Sequence, residues 1–80
     1  MVYVYILFSD SLKKYYVGST IDVQKRVDQH NAGRTNFTSR GIPWTLLVTI
    51  ECNTRAEAVR LESKIKKRGI GRYLRDYNLL

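Results

Sequence analysis

Seven consecutive residues near the start of the chain, Val2 to Phe8, are all β-branched, aromatic or aliphatic. A run this short and uniformly apolar reads as a strand buried on both faces, with Tyr3, Tyr5 and Leu7 on one side and Val4, Ile6 and Phe8 on the other. The polar stretch Ser9-Asp10-Ser11 lets the chain reverse, and Lys14 to Gly18 forms the returning strand. A hairpin of this kind sets residues near Tyr16 opposite residues near Tyr5.

From Asp22 the period lengthens. Val23, Val27 and His30 recur at helical spacing behind Asp22 as N-cap, until Asn31-Ala32-Gly33 stops the helix. Residues 34–43 hold Gly41 and Pro43 among polar groups and read as a loop, with one helical turn near 36–39. Trp44 to Ile50 is a third apolar strand. Thr54 and Glu57 form a Thr-x-x-Glu capping box for a helix through Arg68, with Ala58, Leu61 and Ile65 as its apolar stripe. A short helix over Gly71 to Tyr77 closes the chain. The order β-β-α-β-α-α predicts an α+β fold, a three-stranded, mainly antiparallel sheet flanked by helices, as a single domain over residues 1–80.

Composition sharpens this in two ways. With 80 residues, 44% hydrophobic and 26% charged, there is enough apolar surface for one core. The 14 Lys and Arg against 7 Asp and Glu leave a formal charge of +7, which points to a polyanionic partner such as nucleic acid. Cys52 is the only cysteine, which excludes an intramolecular disulfide and a Cys-rich zinc site and suits a reducing, intracellular (cytoplasmic) setting. The apolar run at 2–8 is too short to span a membrane and carries no charged leader, so no membrane partner is expected.

Two aromatic triplets carry the candidate chemistry. Tyr3-Val4-Tyr5 and Tyr16-Val17-Gly18 are separated by ten residues, Arg26 follows eight residues after Gly18, and Glu62 lies in the stretch Arg60 to Ile65. Arg26 sits beside the apolar stripe of its helix, and His30 falls one turn later on the same side. Glu62 lies within the arc bounded by Leu61, Ile65, Ala58 and Val59, where a carboxylate is either paired, with Lys66 at i+4 the available partner, or coordinating a cation. Hard oxygen ligation beside a phosphate suits Mg²⁺ or Mn²⁺. Gly18 reads equally as a strand-end turn residue and as a point of close backbone approach.

In these positions the sequence resembles the GIY-YIG nuclease superfamily, most closely its small single-domain branch related to the nuclease module of the excision-repair endonuclease. The resemblance implies a metal-dependent endonuclease that hydrolyses phosphodiester bonds, with DNA the expected substrate and repair or recombination the expected setting. It implies Tyr5 as general base or water-positioning residue, Tyr16 on the scissile phosphate or the water, Arg26 on the phosphate, His30 assisting there, and Glu62 as metal ligand. An ordinary tyrosine has a pKa of about 10, so a nearby cation is expected to lower that of Tyr5. Tyr3 replaces the usual first Gly, and Ser19 stands where many relatives carry a basic residue. Gly18 and Ser19 are expected beside the nucleic acid. Lys64, Lys67 and Arg68, in a basic cluster with Lys66, Arg72 and Arg75, are expected to track the phosphate backbone. Asn78 is a further candidate to support the site. The competing reading is a non-catalytic nucleic-acid-binding module or interaction subunit that keeps the fold and works with a targeting protein partner.

Overall fold

In the computed structural model, which describes residues 1–79, the apolar run at the N-terminus becomes the central strand of a three-stranded sheet. β1 (Val2–Ser9) pairs antiparallel with β2 (Lys14–Thr20) on one side and with β3 (Trp44–Cys52) on the other. Central placement explains the uniform hydrophobicity, because both faces of β1 are covered. The α+β expectation and the element order hold, with α1 (Val23–Asn31), α2 (Arg55–Arg68) and α3 (Ile70–Asp76) as the helices.

Side-chain alternation along β1 divides the interior in two. Val2, Val4 and Ile6 join Val17, Cys52, Ala58, Ile65, Tyr73 and Leu74 in the larger core, under α2 and α3. Tyr5 and Leu7 point the other way and pack with Trp44, Tyr16 and Val27 of α1. β3 serves both cores through a bulge. Its partner register jumps between Ile6 and Leu7, which face Val48 and Leu46, so Leu47 is the extra residue, and Leu47 and Val48 both pack on the larger core.

The caps follow the sequence, with one change. The Asp22 carboxylate accepts from the Lys25 N–H at 3.1 Å, and Thr54 Oγ1 accepts from the Glu57 N–H at 3.1 Å. The Glu57 carboxylate reaches the Asn53 N–H at 2.9 Å, one residue before the cap that a capping box would use. Several boundaries extend or shift, and α3 runs from Ile70 to Asp76, one residue earlier than the expected Gly71 to Tyr77. β2 runs on to Thr20 and β3 to Cys52, because pairing with β1 continues past the apolar stretches. The helical turn expected near 36–39 is a short 3₁₀ turn at Ser39–Gly41. Among the described residues no helix is long and apolar enough to cross a membrane.

Candidate active site

The register of the hairpin brings the two aromatic triplets together. Tyr5 is paired with Gly18 and Leu7 with Tyr16, so both tyrosine rings lie on the same side of the sheet, with centroids 6.3 Å apart. A methyl group on Gly18 would stand 2.5 Å from the Tyr5 hydroxyl and 2.7 Å from its Cζ. Gly18 is therefore neither a turn residue nor an open approach for substrate. It is the floor on which the Tyr5 ring lies. Ser19, paired with Val4, is on the opposite side of the sheet from that ring.

Tyr5 is 1% exposed, and its hydroxyl is the first link in a buried chain of hydrogen bonds. It lies 2.9 Å from His30 Nε2, and His30 Nδ1 lies 2.8 Å from Thr38 Oγ1. Thr38 Oγ1 in turn donates to the Thr35 carbonyl at 3.3 Å, so it accepts from the imidazole Nδ1–H. That fixes the tautomer: Nε2 carries the lone pair and takes the Tyr5 hydroxyl proton. The opposite tautomer leaves the Tyr5 proton without an acceptor among the described residues. His30 and Thr38 are both fully buried. His30 thus lies behind Tyr5 and not on the open side, and it reaches a phosphate only through the phenol.

Arg26 approaches the same oxygen from the other direction. Its Nε donates to the Tyr5 hydroxyl at 3.4 Å and its Nη1 to Gln29 Oε1 at 3.4 Å. It makes no salt bridge with Asp22 or Asp28. The remaining N–H groups of its fork line an open cleft of about 290 Å³ shared with Thr20, Ile21, Asp22, Lys25 and Gln29. This half-buried guanidinium is available for an anion. Its pKa is raised, chiefly because it donates to Tyr5.

The electrostatics correct one expectation. Burial pushes the Tyr5 pKa above its ordinary value, and the hydrogen bond from Arg26 offsets this only in part, while the charges of Tyr16 and Glu62 add to the rise. Tyr5 is a neutral phenol at rest. His30 is held neutral as well, its pKa lowered first by burial and then by the Arg26 charge. Arg26, and not residue 19, is the cation acting on Tyr5.

Tyr16 is half-buried, with its ring 5.0 Å from His30 and 6.3 Å from Trp44, and its hydroxyl has no hydrogen-bond partner among the described residues. Glu62 on α2 is within electrostatic reach of Tyr5. Its side chain keeps 24% of its exposure and pairs with Lys66 Nζ at 3.0 Å, the i,i+4 partner that the spacing offers. Among the described residues no group of three or more His, Cys, Asp or Glu forms a ready metal cage. One accessible carboxylate suits Mg²⁺ or Mn²⁺, which keep several waters and share substrate oxygens, and does not suit a structural zinc.

The basic residues expected to meet nucleic acid are arranged otherwise. At about 100° per residue, Lys67 falls opposite the core stripe of α2, and Lys64 and Arg68 fall on the flank away from Glu62. Arg68 is further occupied by Asp76, with Nε to Oδ2 at 2.6 Å and Nη2 to Oδ1 at 3.0 Å. Lys66 is the member of this basic cluster on α2 that shares a side with Glu62. Asn78 sits past the end of α3 with a positive φ of 54° and is exposed, with no side-chain hydrogen bond to the site among the described residues.

Two residues of the assembly, Asn31 and Thr38, carry no local signal of their place in it. Asn31 accepts from the Trp44 N–H at 2.6 Å and donates to the Trp44 carbonyl at 3.1 Å, closing the end of β3 onto α1. The Trp44 indole N–H donates to the Thr38 carbonyl at 2.7 Å. These bonds pin the 34–43 loop so that Thr38 meets His30. Gly41 completes the clamp, since a Cβ there would collide with the Trp44 ring.

Comparison with known proteins agrees with this geometry. The model of the GIY-YIG catalytic domain matches residues 1–73. The chain is 46% identical over 54 residues to a UPF0213 protein of Halobacterium salinarum, covering 66% of this chain and 70% of that one. It is 43% identical over 65 residues to a UPF0213 protein of Haloquadratum walsbyi, covering 80% and 72%. The solution NMR structure of a UPF0213 protein from Bacillus halodurans superposes with a TM-score of 0.59 at 31% identity, over 99% of this chain and 85% of that one. With Tyr5, Tyr16 and Arg26 gathered on one side of the sheet and the domain match running through α2, the chain belongs to the GIY-YIG family, a nuclease-type family whose substrate is nucleic acid.

Proposed function

We propose that this chain is an endonuclease that hydrolyses phosphodiester bonds in DNA with Mg²⁺ or Mn²⁺ as cofactor, in an intracellular setting of repair or recombination. The observation that carries the reading is the convergence of His30 and Arg26 on one phenolic oxygen. A structural tyrosine needs one partner, whereas Tyr5 has an acceptor for its proton and a cation beside its oxygen.

The chemistry follows from that arrangement. Arg26 binds the scissile phosphate through its free N–H groups and opposes the charge that builds on the phosphoryl oxygens. Tyr5 takes a proton from the attacking water while its own hydroxyl proton passes to His30 Nε2, so no free phenolate is formed. The water oxygen bonds to phosphorus as the bond to the leaving oxygen breaks, the leaving alkoxide takes a proton from solvent, and His30 returns its added proton to Tyr5, which releases one to solvent. Tyr16 donates its hydroxyl to the phosphate or to the water. Glu62 would hold the metal ion, which supplies positive charge for the leaving oxygen when bound. Lys66 would then release Glu62.

The test is incubation of the purified protein with supercoiled plasmid and with branched DNA, with and without Mg²⁺ or Mn²⁺, alongside Tyr5→Phe and Glu62→Ala. Metal-dependent nicking that drops about 10²–10⁴-fold in Tyr5→Phe is the expected result, the usual range for losing a positioned acid–base group. Cutting that survives Glu62→Ala overturns the metal assignment. Absence of cutting with DNA binding intact favours a non-catalytic binding module.

A further inference from the structure

Beside the site lies a second concavity that the reaction does not use. It is a groove of about 390 Å³ lined by Tyr15, Tyr16, Val17, Phe37, Lys66 and Ile70. Phe37 is 83% exposed, in a loop otherwise held by buried hydrogen bonds, and its ring centre is 6.0 Å from that of Tyr16. Nothing in the core requires an aromatic there. Tyr16 forms a wall of both the groove and the catalytic cluster, so whatever enters the groove lies next to the phosphate held by Arg26. Lys66 sets an ammonium at its edge, with one N–H on Glu62 and, among the described residues, the others free for a phosphate.

We propose that this groove receives one unpaired nucleobase of the DNA strand being cut, stacked on the face of Phe37 and bordered by the Tyr16 ring, which is tilted 48° to it, with Lys66 against the adjoining phosphate. This rests on the nucleic-acid-cleaving function proposed above and adds a substrate class to it. A flat apolar ligand with an attached anion matches two aromatic faces, an aliphatic side and one cation, and a base with its phosphate has that composition. Aromatic stacking of this kind accepts any base, because each has a π-face. A base inside a duplex is already stacked and must leave the helix to enter, so the groove favours strands with unpaired nucleotides at the cut, such as flaps, bulges or single-stranded flanks.

The experiment measures binding without divalent metal, so that it does not depend on turnover. A DNA oligonucleotide carrying 2-aminopurine in a single-stranded stretch, the same sequence as a duplex, a version with an abasic site, and the RNA counterpart are titrated against the protein and against Phe37→Ala and Phe37→Trp. Phe37 is on the surface, so these variants keep the fold. Quenching of 2-aminopurine in the single strand is expected. So are a fall of at least about five-fold in the ratio of single-strand to duplex affinity in Phe37→Ala, its restoration in Phe37→Trp, and a comparable loss with the abasic strand. An unchanged affinity ratio in Phe37→Ala, or equal affinity for the abasic strand, overturns the base-binding groove, and tighter RNA than DNA binding overturns the choice of DNA. Failure to bind any of these nucleic acids at low salt counts instead against the function on which the proposal rests.

Discussion

The Tyr5 ring lies on the backbone of Gly18, its cross-strand partner, so closely that a Cβ at residue 18 would approach the phenol oxygen to 2.5 Å. Gly18→Ala therefore displaces Tyr5 from His30 and Arg26. Overpacking of this kind costs about 1–3 kcal/mol, read as a lowered urea midpoint, and plasmid nicking should fall further than the stability loss explains.

Because Tyr5 is neutral at rest and gives its proton to His30, the cleavage rate should be flat from about pH 7 to 9. Its pKa is raised, mainly by burial, so no phenolate accumulates in that range. A rate that climbed ten-fold per pH unit would mean that Tyr5 must ionise first, contrary to the proton transfer described. On the acid side the rate should hold through the ordinary histidine value of about 6.5 and fall only at lower pH, where His30 takes up a proton at its depressed pKa and can no longer accept one.

Stability should follow the same group. The folded pKa of His30 lies below the unfolded value, so on acidification the unfolded chain binds a proton before the folded chain does. The contribution of neutral His30 is complete above about pH 6.5 and is lost as the pH falls toward the folded pKa. His30 is the only histidine, so the change in urea midpoint between about pH 7.5 and 5.5 should largely disappear in His30→Gln.

Arg26→Lys should be a severe change despite retaining the charge. Lysine cannot donate to the Tyr5 oxygen and present a fork to phosphate at the same time. Losing a charge-assisted hydrogen bond is worth about 1.5–3 kcal/mol, so kcat/KM should drop about ten- to hundred-fold, with the melting temperature little altered. Equal kcat/KM in Arg26→Lys would show that charge alone suffices.

Asn31→Ala removes both bonds to the Trp44 backbone. Leaving a part-buried N–H unpaired costs about 1–3 kcal/mol, and faster hydrogen exchange at the Trp44 amide is the specific readout. Nicking should weaken as well, since the loop that carries Thr38 depends on that clamp.

Much of this was legible in local patterning. The strands, the first two helices and the caps at Asp22 and Thr54 follow from runs and periods within a few residues, and two tyrosines with ten residues between them predict a hairpin that aligns them. The approach of Arg26 to Tyr5 is likewise legible in its place beside the apolar stripe of α1. What was hidden depends on partners far away in the chain. Thr38 and Asn31 are ordinary polar residues until β3 brings Trp44 to them, and no period marks the loop between. The Ile6/Leu7 bulge is equally silent, because consecutive apolar residues such as Leu47 and Val48 look the same with or without it. The basic helix hides its arrangement for a related reason: counting charges does not show that Arg68 pairs with Asp76, or that Lys64 and Lys67 face away from Glu62.

The division of β1 into two faces has a consequence for how the domain tolerates change. Alternate residues of one eight-residue strand answer to separate demands, Val2, Val4 and Ile6 to the packing of α2 and α3, Tyr5 and Leu7 to the side that carries Tyr16, Trp44 and α1. Substitutions can sample one set without touching the other, whereas inserting or deleting a single residue in this strand exchanges the two sets at once. The segment is open to drift in composition and closed to drift in length.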